Sequence, residues 1–235
     1  MRVRGNLAVF GLPTIIGLWF FHGFALKYLT PDPDRYGIYW DRHEWLYAHV
    51  LAGTLALLIG PAQLWLGLNR RTTNFHRTMG VVYVIAVAVG AASAFYLAAH
   101  NDFSWVFGLG LGSMATVWIV STALATIAIC LHKVDQHREW MARSYTVTFG
   151  FVTFRVVYEI LDAMEWGTMV ERMTAASWLG WVMPLFAMEA LMQGRKIFAK
   201  HSAVEKLSVA PYSVLPEREP VFQMQNSDSS LPQQN

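Results

Sequence analysis

Long apolar blocks alternate along the chain with short polar stretches that carry arginine. No Asp, Glu, Lys or Arg occurs over 45–68, 78–99 or 103–131. A helix rising about 1.5 Å per residue needs about 20 mostly apolar residues to cross the ~30 Å hydrocarbon layer of a bilayer. Six segments meet that condition: 7–29, 46–68, 78–99, 105–131, 144–161 and 177–198. The pattern predicts an all-α integral membrane protein, a six-helix bundle. Segment 7–29 is too long for the apolar region of a signal peptide, and no small-x-small cleavage site follows it, so it reads as the first span.

Basic residues sort by loop. With the N-terminus taken as cytoplasmic, that face holds Arg2 and Arg4, then Arg70, Arg71 and Arg77, then Lys133, Arg138 and Arg143. It also holds the C-terminal Arg195, Lys196, Lys200, Lys206 and Arg218, whereas the opposite face holds Lys27, Arg35, Arg42 and Arg172. Cytoplasmic loops carry the excess of Lys and Arg, so both ends are expected inside, N-in and C-in, with an even number of crossings. Parity keeps 144–161 as a span although it carries Arg155 and Glu159. Without it the basic tail would fall on the outer side. The expected organisation is a transmembrane domain over 1–199 and a disordered cytoplasmic tail over 200–235, where Ser, Pro, Gln, Asn and Glu dominate. Trp45, Trp65, Trp105, Trp140, Trp166 and Trp178 fall near span ends, where amphipathic rings prefer to sit. The outer connection 30–44 is the longest, and is expected to form a short cap.

Composition narrows the classes further. Charged residues make up 14% of the chain, against roughly 25% in soluble domains, and hydrophobic residues 54%. The charge-free blocks cannot all be the core of one small soluble domain. Net charge is +2 and the basic residues form short clusters rather than one stripe, which argues against a nucleic-acid partner. The lone Cys130 excludes an intrachain disulfide and any cysteine-based zinc or iron–sulfur centre. No phosphate-binding loop, Ser-His-Asp arrangement in context or His-Glu-x-x-His run is present.

The ionisable residues left inside the spans are the candidates for function. Arg155 and Glu189 both fall near mid-depth of neighbouring spans and are expected to pair, since an isolated Arg at a span centre costs at least ~2.5–3.5 kcal/mol. Glu159 and Asp162 continue the Arg155 face of the fifth span, with Thr148 and Val152, and could hold a cation or a proton. Two readings stand side by side for this group: a structural ion pair, and a relay or ion site.

Histidines fall in two layers. His22, His49 and His100 lie toward the outer side, with His43 beyond them; His76, His132 and His137 lie toward the inner side. Two share a local pattern, His49-Val-Leu-Ala-Gly53 and His76-Arg-Thr-Met-Gly80. A glycine at i+4 shares the histidine's face and removes bulk beside it, as a flat macrocycle ligated by the imidazole requires. His49 with His100, and His76 with His137, are the expected pairs. His49, His76 and His137 are thus candidate ligands for haem iron or another metal. The competing reading is of ordinary interfacial histidines beside the arginines that set topology.

The order of these features carries a resemblance. His49 and Gly53 open the second span, which ends Gly60-Pro-Ala-Gln63. His76-Arg-x-x-Gly80-x-x-Tyr83 opens the third. His137-Arg-x-Trp140-Met141-x-Arg143-Ser144 precedes the fifth, with Arg155 after it. Over roughly 46–159 this resembles a family of predicted bacterial multi-spanning proteins known as domain of unknown function 2306. The resemblance implies an integral protein of the bacterial cytoplasmic membrane and brings no substrate, cofactor or reaction. A looser similarity, to two-haem transmembrane cytochromes b, rests on the histidine layering, and His100 departs from it by lying outside its helix. Three functions follow as alternatives. One is a redox component binding haem b or a quinone near His49, His76 and His137. Another is a small transporter or channel with a polar path at Arg155, Glu159, Asp162 and Glu189. The third is a non-catalytic membrane component that assembles with protein partners.

Overall fold

The computed structural model describes residues 7–69 and 73–208, and every regular element among them is helical. The chain begins with α1 (Leu7–Phe20), a π-helical turn (Phe21–Ala25) and a 3₁₀ turn (Leu26–Leu29). Next come α2 (Pro33–Tyr36), a second 3₁₀ segment (Gly37–Arg42), α3 (His43–Leu68), α4 (Asn74–Ala99) and α5 (Trp105–Cys130). The last helices are α6 (Val134–Thr148), α7 (Gly150–Ala163) and α8 (Met169–Ser208). Six helical runs result among the described residues, taking α1 with its two turns as one, α2 and the second 3₁₀ segment with α3 as one, and α6 with α7 as one. Pro33–Gly67, Asn74–Ala99, Trp105–Cys130 and Met169–Phe198 contain stretches long and apolar enough to cross a membrane, and the apolar Thr14–Leu29 run is shorter. The protein is an all-α membrane bundle.

Burial follows the helical period with lipid as the outer solvent. On α4, Val81, Ile85 and Val89 stand exposed one turn apart, while Tyr83, Val87, Ala91 and Ala94 on the other face are buried. A face of bare valine and isoleucine is costly in water and natural in hydrocarbon. Trp105 and Trp166, at helix ends, are 78% and 62% exposed, as rings at a bilayer interface would be. Inside, a cluster around Tyr83, Val87, Met114, Trp118, Val147 and Trp181 joins α4, α5, α6 and α8. Helix starts are fixed locally. The Thr73 hydroxyl accepts the His76 N–H at the head of α4, and Ser104 accepts the Phe107 N–H at the head of α5.

The helices over the fifth expected span differ from its outline. Its helix starts at Val134, well before residue 144, and breaks at Phe149 between α6 and α7. The first turns of α6 are polar and helix-forming, with Asp135 paired to Arg138 at 3.5 Å, so hydropathy alone passes over them. The break also splits the face assigned to Thr148, Val152, Glu159 and Asp162. Thr148 and Val152 are buried, whereas the Glu159 side chain is 49% exposed.

Two prolines sit inside long helices, Pro61 in α3 and Pro184 in α8. Each lacks the N–H that would bond the carbonyl four residues earlier. Tyr145 of α6 donates its hydroxyl to the freed Leu57 carbonyl at 3.3 Å, and its ring lies against Gly60. Thr153 of α7 donates to the freed Gly180 carbonyl. The α6–α7 pair therefore supplies a hydroxyl to both proline gaps, which is how a membrane helix tolerates them. Helices approach closely at Gly180, where a methyl group would stand 2.7 Å from the Phe154 Cα.

Helical structure in α8 continues past residue 200, where the tail was expected to begin; the remainder, 209–235, lies outside the described residues. So do Arg2, Arg4, Arg70 and Arg71. Packing divides the chain into Met1–Met192, which contains the bundle, and a second unit from Gln193 onward.

Candidate functional site

A cavity of about 480 Å³ lies inside the bundle. Its roof is Phe20, Phe24 and Tyr28 from the end of the first run, with Tyr39 from the 3₁₀ segment. Below these, His49, Gly53 and Leu57 of α3 face Phe107, Met114 and Trp118 of α5. Thr148, Phe151, Phe154 and Arg155 of α6–α7 close the remaining wall. The outer connection thus forms the cap expected of it, held by Tyr36, whose hydroxyl donates to the Tyr28 carbonyl, and by the Arg42–Asp102 ion pair.

His49 is the imidazole in this wall. Its Nδ1 stands 2.9 Å from the Gly90 carbonyl of α4. A carbonyl can only accept, so Nδ1 carries the proton. The ring is further fixed by an edge-on contact with Phe151, centroids 4.9 Å apart. Gly90 itself is gripped between Trp118, 2.9 Å from where a methyl group would be, and Ala52. One turn along from His49, a methyl group on Gly53 would meet nothing within 4 Å. The space beside the imidazole is open.

Beneath the cavity runs a buried hydroxyl network. Tyr83 is 2.9 Å from both Ser144 and Thr148, and Thr122 is 2.7 Å from Ser144. The Trp118 indole donates to Thr148 at 2.8 Å. Trp118 and Thr122 carry no expectation from the sequence, and Tyr83 and Ser144 enter there only as positions of the two His-Arg blocks. The readable signal was two hydroxyls one turn apart, Ser144 and Thr148, inside an apolar span.

The expected charge pairing is corrected. Glu189 bonds to Arg143, at 2.7 Å from Nη2, and not to Arg155. Arg143 also approaches Glu139, one turn back, at 3.9 Å. Arg155 instead pairs with Glu159 of its own helix at 2.7 Å, and its guanidinium carbon lies 4.5 Å from the Phe24 ring centroid. Asp162 pairs with Arg172 at 3.2 Å. An i,i+4 partner is simply nearer than one on another helix, and the break at Phe149 shifts depth counted from loop ends.

The histidine pairs divide. His49 and His100 do not meet: His49 faces Gly90, and His100 lies ten residues beyond, about 15 Å along α4. His100 ends an aromatic stack, 4.2 Å from Tyr96, which in turn lies 4.3 Å from Trp45. His76 and His137 do come within electrostatic reach. His137 Nδ1 bonds the Ala125 carbonyl at 2.9 Å, while His76 Nδ1 is buried without a partner among the described residues. Beside them a methyl group on Gly80 would stand 3.9 Å from the Gln63 Oε1, and one on Gly67 the same distance from the His76 ring. Among the described residues, no three of His, Cys, Asp or Glu converge to hold a metal ion.

The sequence model of the family described as Predicted membrane protein (DUF2306) matches residues 46–192. The chain belongs to that family. The DUF2306 region covers both His-x-x-x-Gly runs, the hydroxyl network and the lower walls of the cavity. The roof, from Phe20 to Tyr39, lies outside it. No curated protein and no solved structure matches the chain.

Proposed function

We propose that this integral membrane protein, set in the cytoplasmic membrane with both ends inside, binds in its cavity a flat, mostly apolar molecule with a hydrogen-bonding head, of the quinone class. The observation that supports this reading is the conjunction at His49: an oriented imidazole beside open space at Gly53, within aromatic walls. Small-molecule sites have this make-up, largely apolar with a few placed polar groups.

Haem b is the second reading, because a histidine whose Nδ1 bonds a carbonyl is also poised to ligate iron. Against it, among the described residues His49 is the single histidine lining the cavity, so a bis-histidine iron lacks its other axial ligand. A transport path is disfavoured because Arg155, Asp162 and Glu189 each have an ion-pair partner. The deciding experiment is an absorbance scan of the purified protein, with solvent extraction and mass spectrometry of bound lipids. The quinone reading expects an extractable quinone, depleted in Gly53→Leu. A Soret band lost in His49→Leu would replace it with haem.

A further inference from the structure

The polar groups of the cavity wall differ in what they have left to offer. Thr148 is committed: it takes the Trp118 indole N–H, bonds Tyr83, and stands 3.0 Å from the Ser144 carbonyl. Asn101 gives its amide to the Ala98 carbonyl and takes the backbone N–H groups of Phe103 and Ser104. Arg155 is held by Glu159 and Phe24, and its buried Nε–H, without a partner among the described residues, can only donate. His49 is different. Its Nδ1–H is spent on Gly90, and no carboxylate among the described residues pairs with the ring. What remains is the Nε2 lone pair of a neutral imidazole, a group that accepts and cannot donate. At the roof, Lys27 has its ammonium 4.7 Å from the Tyr28 ring centroid and can only donate. A hydroxyl satisfies both kinds of group. A quinone carbonyl or an ether satisfies only the donor and leaves Nε2 unmet.

Resting on the cavity reading above, we infer that this site selects the hydroxyl-bearing form of its ligand, so that a quinol is held in preference to the corresponding quinone. The selector is the tautomer of His49, set from outside the cavity by the Gly90 carbonyl.

The test uses two probes, 1-naphthol and 1-methoxynaphthalene, in the second of which a methyl group replaces the hydroxyl proton. Their binding to the full chain in nanodiscs is measured by calorimetry, with empty nanodiscs subtracting partition into lipid. The naphthol is expected to bind about tenfold more tightly, the weight of one hydrogen bond to an otherwise unmet buried acceptor. In His49→Leu, or His49→Phe should the leucine variant not fold, the ratio falls to about one. Equal affinities in the unaltered protein, or a ratio that survives loss of His49, would overturn the selectivity while leaving the cavity as a binding site. Failure of both probes to bind above empty nanodiscs would remove the cavity reading itself.

Discussion

The chain contains the same five-residue pattern twice, and the two copies end in different surroundings. In His49–Gly53, the glycine faces open space and the imidazole borders the cavity. In His76–Gly80, the glycine faces the Gln63 amide and the imidazole faces Gly67, so α3 and α4 close on each other there. Spacing is identical in both, so spacing does not decide whether a slot exists. The neighbouring helix decides it. Opposite the first copy stand Trp118 and Phe151, large rings whose centroids lie 5.9 Å apart and which leave volume between helices. Opposite the second copy stand Gln63 and Gly67 of α3.

That contrast can be broken by substitution. Gly53→Leu should weaken ligand binding by at least about 100-fold, because the new side chain occupies the ligand's volume, and should leave the melting temperature in detergent little changed. Gly80→Leu should do the reverse, costing about 1–3 kcal/mol of stability through overpacking on Gln63, read by thermal or denaturant unfolding, with binding intact. Tyr83 lies on the His76 face two turns on, and there that face meets hydroxyls instead of a cavity. Tyr83→Phe should cost about 1–3 kcal/mol, since Ser144 and Thr148 each lose a partner. Calorimetric titration should show His49→Leu lowering affinity for a hydroxylated ligand about tenfold, and His76→Leu leaving it unmoved. Smallest of all, Glu159→Gln should shift stability by less than ~1 kcal/mol, as expected for a half-exposed pair, and leave binding untouched.

Much of the fold was legible because a bilayer imposes it. The charge-free blocks at 45–68, 78–99 and 103–131 reappear within α3, α4 and α5. The fifth expected span rested on charge parity, and the outline of its helices was missed because the start of α6 is polar and the break at Phe149 leaves no hydropathy signal. The site was legible in its parts and not in its assembly. His49 and Gly53 were singled out, yet their true companions, Gly90, Phe151 and Trp118, are apolar or backbone groups with no chemical signature. Arg155 and Glu189 were paired by depth, whereas side-chain reach on one helix gives Arg155 to Glu159 and the α6–α8 contact gives Glu189 to Arg143.

The π turn at Phe21–Ala25, closed by the Leu26 N–H on the Phe21 carbonyl, amounts to one surplus residue in an otherwise α-helical run. Excising Gly23 would restore an ordinary winding and rotate everything downstream by about 100°. Lys27 and Tyr28 would then swing away from the chamber, and the lining would lose the part of its ceiling that follows Gly23. A single inserted amino acid, outside the segment shared with the family, thus sets whether this chamber is covered or bare.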